Sequence, residues 1–172
     1  MNLIATTYRH AENKVIMELK EILGELGDNN SKIEYTNISG LVRCSTKLDA
    51  KDVIRRVKEI INEEPWRFRF ILRLIPIDIV TNTEISKIRD IAIKLSSNIK
   101  EGESYKIEIE KRFTTLKSKD IISSIAEAID RRVDLEEPDW IILIEIIGRD
   151  TGISLLKKDE IFSLVKSKRS ID

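Results

Sequence analysis

Between Trp140 and Ile147 every residue but Glu145 is apolar, most of them Ile or Leu. As a strand, such a run has no polar face to turn to water, so it must lie centrally in a sheet and be covered on both sides. It is far too short to cross a bilayer. The acidic loop Val133-Asp134-Leu135-Glu136-Glu137-Pro138 precedes it, and a tight turn at Gly148 to Thr151 leads to a further strand over Gly152 to Leu156. This spine carries no obvious chemistry. The working residues of the chain are to be sought on its flanks.

The residues before it read as two successive modules. Asn2 to Thr7 has extended character, and Ala11, Val15, Leu19, Ile22, Leu23 and Leu26 follow at helical spacing until Gly27 ends the pattern. Ser31 to Asn37 and Leu41 to Thr46 flank the turn Asn37-Ile38-Ser39-Gly40 and predict a hairpin. Asp49 is placed to cap a second helix bearing Val53, Ile54, Val57, Ile60 and Ile61, which Pro65 stops. A fourth strand is expected over Arg67 to Ile75. The order strand, helix, strand, strand, helix, strand predicts a ferredoxin-like (βαββαβ) module over residues 1–80 in a chain of class α+β. In that fourth strand Phe68, Phe70, Leu72 and Leu74 share one face, and Arg67, Arg69 and Arg73 the other. The Arg stripe is either a solvated face paired with nearby Glu or a secondary phosphate-contacting surface, with base stacking disfavoured because Leu41-Val42-Arg43-Cys44 offers no aromatic.

Pro76 marks the junction to an α/β module over residues 81–172. Thr81-Asn82-Thr83-Glu84 has the spacing of a capping box, and the helix it opens carries Ile85, Ile88, Ala92, Leu95 and Ile99. Tyr105, Ile107 and Ile109 alternate with Lys106, Glu108 and Glu110 as a half-buried strand that runs into Lys111-Arg112-Phe113-Thr114-Thr115. Ser118 is placed to cap the next helix, with Ile121, Ile122, Ile125, Ala126 and Ile129 on its apolar side and Arg131 and Arg132 beside its last carbonyls. Asp159 to Val165 reads as a short terminal helix followed by a basic tail.

Lys plus Arg and Asp plus Glu both number 30, so net charge points to no partner, and a nucleic-acid binder must segregate its charges. No targeting segment is evident, and a cytoplasmic location is expected. One Cys and one His exclude an internal disulfide and leave too few ligands for zinc. Cys44 reads as a buried small side chain. Only six Gly are present, none at phosphate-loop spacing, and His10 is the sole imidazole. No catalytic residue, metal or cofactor is therefore expected, and the chain is read as a non-enzyme. The residues left to carry function are basic: Lys111, Arg112, Lys117, Lys119, Arg149, Lys157 and Lys158, with Arg131 and Arg132 joining them unless they serve only to cap the helix. They form either a phosphate-binding cleft at one edge of the module, aided by the helix N-terminus near Ser118, or scattered surface charge.

A resemblance bears on that choice. Val133 to Asp139, Ile144-Glu145-Ile146-Ile147-Gly148 and Thr151-Gly152-Ile153-Ser154 resemble the C-terminal half of a THUMP domain, the RNA-binding module attached to several classes of tRNA-modifying enzyme. Glu110 to Thr114, Asp159 to Ser163 and Leu74-Ile75-Pro76 resemble, more narrowly, the stand-alone Tan-type proteins. The resemblance implies an adaptor that holds the acceptor end of tRNA and presents the D-arm to a separate tRNA cytidine acetyltransferase, which forms acetylcytidine. An adaptor for thiolation or methylation, an enzyme of unrecognised type, and a protein-interaction module remain as alternatives. Arg112 matches the family's basic position after the first strand, while the Asn common beside it is replaced by Phe113 and Thr114. Phe113 either stacks a base or covers the core, and the core is the reading preferred.

Overall fold

The computed structural model describes residues 1–169, which form two compact units of mixed α and β structure. The first opens with β1 (Leu3–Thr6), α1 (Glu12–Glu25), β2 (Lys32–Tyr35), β3 (Leu41–Ser45), α2 (Ala50–Glu63) and β4 (Arg73–Pro76). The strands pair antiparallel in the order β4-β1-β3-β2. Val15, Leu19, Ile22 and Leu23 of α1 and Val53, Ile54, Val57 and Ile61 of α2 fall at helical spacing, so each helix buries one stripe with Leu3, Ala5, Val42, Cys44 and Leu74 of the sheet. Asp49 caps α2 as expected, accepting from Asp52 N at 2.8 Å. Gly27, at φ 111, lets α1 end in a Schellman turn in which Asp28 N donates to Leu23 O.

The strand expected over Arg67 to Ile75 forms only from Arg73 onward. Glu18 of α1 is the reason. Its carboxylate accepts from the backbone N–H groups of Arg69, Phe70 and Ile71, which draws the segment out of any ladder. Pro65–Arg67 is instead a single 3-10 turn, and Phe68 and Ile71 are the fully buried side chains. The Arg67, Arg69 and Arg73 stripe therefore does not exist as a strand face. Arg67 is held by Glu25, with Glu21 and Glu64 beside it.

The second unit contains β5 (Ile79–Asn82), α3 (Ile85–Ser96), β6 (Ser104–Arg112), α4 (Ser118–Ala126), β7 (Arg132–Val133), β8 (Trp140–Ile147) and β9 (Asp150–Leu156). Its sheet runs β5-β9-β8-β6-β7, so the apolar strand β8 is central, and Ile141 to Ile147 are all buried. β6 and β8 are parallel, joined by a crossover through α4. β9 runs antiparallel to both β8 and β5. Ile142, Ile144 and Ile146 meet Ile88 and Ala92 of α3 and Ile121 and Ile125 of α4 in one core.

Neither expected helix cap forms in this unit. Thr81 pairs within β5 and Glu84 takes the position before α3 with no side-chain cap, Thr83 Oγ1 donates to Gly148 O at 2.8 Å, and Lys117, also without a side-chain cap, takes the position before α4. The residues after 158 also depart from expectation. Residues 159–169 pack with the first unit, where β10 (Phe162–Ser163) pairs antiparallel with β4 and is followed by α5 (Leu164–Arg169). Phe162 is the cause: it is fully buried in the first core, 5.7 Å from Phe68 between ring centroids. No helix among the described residues is long and apolar enough to cross a membrane.

Candidate nucleic-acid interface

Strand direction decides which basic residues meet. β5, β6 and β8 all finish at one end of the second sheet, where β9 begins, since Asn82 and Ile147 both face Asp150 and Arg112 faces Ile147. Asn82–Glu84, Lys111–Thr115 and Gly148–Arg149 are therefore neighbours. α3 and α4 also start from this end, and neither has a side-chain cap, so the positive ends of both helices are open here.

The segments Asn82–Glu84, Phe113–Thr115 and Gly148–Arg149 line a cleft of about 730 Å³. Its walls are tied to one another. Gly148 N donates to Arg112 O at 2.9 Å, Thr83 N donates to Arg149 O at 2.9 Å, and Thr83 Oγ1 lies 2.9 Å from Thr151 Oγ1. Gly148 makes the turn possible with φ 59, a region that L side chains enter with strain.

Phe113 sits in that same region, at φ 55, and is 73% exposed. The expectation that it covers the core is thus incorrect. The backbone, turned by the left-handed residue where β6 ends, throws the ring outward onto the cleft rim. Thr114 and Thr115 follow it, and Thr114 Oγ1 accepts from Leu116 N at 3.2 Å. Lys111 Nζ donates to Leu116 O at 3.1 Å and braces the same loop. Arg149, Lys117 and Lys119 are exposed, and their side chains have no protein partner among the described residues. Arg112 is different: its Nη1 donates to the buried carboxylate of Glu145 at 2.6 Å, which takes it out of the set free to meet a phosphate.

The remaining candidates lie at the opposite end of the sheet. Arg132 faces Ser104 at the start of β6, and Lys157 and Lys158 follow β9, with Lys157 Nζ 5.1 Å from the centre of the Trp140 ring. Arg131 does not cap α4. It donates to Ile99 O at 3.0 Å and to Asp130 O at 2.6 Å. At roughly 3.3 Å per residue, β8 separates the two ends by about 23 Å, so one continuous cleft through all these residues does not form. The cleft's own polar groups, Asn82, Thr83 and Thr115 among them, were not candidates from sequence. Thr83 stood there only as an interior residue of the Thr81 to Glu84 capping box.

Residues 82–156 match the THUMP domain family. The second unit carries a THUMP domain. The match begins at the last residue of β5 and closes with β9, so every strand end around the cleft belongs to the THUMP domain. Over 99% of its length the chain is 26% identical to the uncharacterised protein MJ0421 of Methanocaldococcus jannaschii, of which it covers 45%. Among solved structures, PH1313 of Pyrococcus horikoshii superposes with a TM-score of 0.67 at 19% identity, over 91% of this chain and 55% of that one. TrmN of Thermus thermophilus follows at 0.59 and 16%, over 89% and 44%. A 4-thiouridine synthetase solved with RNA and ATP superposes at 0.57 and 14%, over 94% and 41%. The chain thus spans about half the length of these relatives, or somewhat less. At such identities the three structures establish a shared fold around the THUMP domain.

Proposed function

We propose that the chain binds tRNA through the cleft end of its THUMP domain and acts as a non-catalytic adaptor for a tRNA-modifying enzyme. The observation that carries this reading is Phe113, an exposed aromatic held at positive φ on the rim of a braced cleft, with Arg149, Lys117, Lys119 and two uncapped helix N-termini around it. Hydroxyls, helix termini and lysines suit phosphate and ribose, while an aromatic face suits an unstacked base. This is the chemistry of a single-stranded RNA end, consistent with the acceptor end of tRNA. The fold likeness to a synthetase solved with RNA supports the same assignment.

In this reading the enzyme served is the acetyltransferase that forms acetylcytidine in the D-arm, and the sequence around Glu110 to Thr114 supports that choice. A second reading, service to a thiolating or methylating enzyme, is favoured by the likeness to 4-thiouridine synthetase and TrmN. We read the first unit as ferredoxin-like with β10 added at its edge, a reading supported by its element order and the antiparallel order β4-β1-β3-β2. A cytoplasmic place of action accompanies the adaptor role.

Nucleoside mass spectrometry of tRNA from a strain lacking this chain tests the assignment. Loss of acetylcytidine is expected. Loss of a thiolated or methylated nucleoside instead moves the adaptor to the second reading, and an unchanged profile removes it from tRNA modification. Heat of binding when acetyl-CoA is titrated into the isolated chain would overturn the non-catalytic role.

A further inference from the structure

β6 pairs with β8 from Tyr105 to Arg112 but with β7 only at Ser104 and Tyr105. Tyr105 O accepts from Asp134 N on the outer side, whereas Arg112 O accepts from Gly148 N on the β8 side. Backbone groups alternate in direction along a strand. The N–H and C=O groups of Ile107, Ile109 and Lys111 therefore point outward, and no strand among the described residues takes them. An open edge of this kind is a template for another strand, and peptide recognition by strand addition uses it.

Charge and apolar exposure beside the edge define what fits. Lys106 Nζ lies 2.7 Å from Glu108 Oε1 and Arg112 turns to Glu145, so Glu110 is left as an exposed carboxylate toward one end. At the other end stand Asp134, Glu136 and Glu137, in a loop fixed by bonds from Glu136 N and Glu137 N to Asp134 Oδ1. The same loop presents Leu135 at 74% exposure and Val133 at 51%. We propose that the outer edge of β6 docks an extended, lysine- or arginine-bearing segment of a partner protein, which adds as a strand beside Ile107 to Lys111 and covers Leu135.

Two other occupants fit less well. A second copy pairing antiparallel about Ile109 would set Glu108 opposite Glu110, a like-charge pair that weakens the ladder. An RNA strand would meet carboxylates at both ends of the edge. The proposal stands apart from the tRNA reading, and a tRNA-binding assay on the same sample keeps the two outcomes distinct.

The test is backbone amide exchange on the full chain with a short peptide of alternating Lys and Val at millimolar concentration. Exchange at Ile107, Ile109 and Lys111 is expected to slow by about tenfold or more. A Glu–Val counterpart and an N-methylated Lys–Val peptide should leave it unchanged. Glu110→Lys with Glu136→Lys should abolish the slowing while the thermal melt stays in place, and Ile109→Pro, which removes an N–H the fold does not use but lowers the melt because Ile109 packs on the core, should abolish it at Ile107 and Lys111. The proposal fails if the Lys–Val peptide gives no slowing, or if either control peptide slows exchange equally. It also fails if tRNA alone, or a rise in protein concentration alone, protects the amides of Ile107 and Ile109, which lie away from the cleft.

Discussion

Arg112 Nη1 lies 2.6 Å from Glu145 Oε2, and Glu145 has no exposed surface. The register sets Glu110, not Arg112, opposite Glu145, so the arginine reaches back along the sheet face to meet the carboxylate. Truncating one member of a buried ion pair strands the other in a medium that solvates charge poorly. Arg112→Met is expected to destabilise the THUMP domain by about 3 kcal/mol in urea unfolding. Adding Glu145→Leu should recover most of that loss, because an apolar pair of similar volume needs no counter-charge. If Arg112→Met leaves the midpoint unmoved, the pair has no structural role and Arg112 returns to the RNA-facing set.

Phe113 separates stability from binding. Its φ of 55 strains a side chain that is 73% exposed and packs little. Phe113→Gly should stabilise the fold by about 1 kcal/mol through relief of that strain. The same change should weaken tRNA binding by roughly tenfold or more, the loss of one base stacked on an aromatic. Fluorescence anisotropy with tRNA, read beside a thermal melt, checks both signs. Binding that survives the substitution would mean that the ring meets no base.

Much of the architecture is legible in the chain because it rests on local pattern. The apolar run of β8 forces a central position, and the stripes on α1 and α2 fix their buried sides. What escapes is decided by partners remote in sequence. Glu18 dissolves the part before Arg73 of the strand expected over Arg67 to Ile75, and Phe162 draws β10 to β4, where it faces Leu74. Thr81, spaced with Glu84 for a capping box, pairs instead with Thr151 as part of β5. The basic residues were identifiable one by one, yet their grouping depends on β6 lying parallel beside β8 across the α4 crossover, which brings Lys111 and Arg112 to the same end as Arg149. Residue types do not reveal that.

The grouping has a measurable consequence. Each phosphate contact removed should lower the salt dependence of tRNA binding by about 0.7 to 0.9 in log–log slope. Lys117→Ala, Lys119→Ala and Arg149→Ala, at the cleft end, are expected to do so. Lys158→Ala and Arg132→Ala, at the far end of the sheet, are expected to leave the slope unchanged. Binding isotherms at several salt concentrations decide it, and equal effects at both ends would mean that RNA crosses the whole face.

Cys44 provides a pH test of the first unit. Burial in β3, with Asp28 adding a smaller effect, pushes its thiol up from 9.0 to about 12. The folded chain therefore holds the proton where the unfolded chain has released it. Above the unfolded value the unfolded state binds fewer protons, so stability falls as pH rises, at up to about 1.4 kcal/mol per pH unit between roughly 9 and 12. Other groups titrate in this range, so the relevant quantity is the difference between the wild-type chain and Cys44→Ala. Urea unfolding should find the wild-type chain the more stable of the two near neutrality, since alanine leaves a small void, with the gap closing as the solution becomes alkaline. A thiol reagent at mildly alkaline pH should label Cys44 slowly in the folded chain and at once in urea. A gap that stays constant with pH, or fast labelling under native conditions, would mean that the thiol is open to water and that the β3 face of this core is looser than its packing indicates.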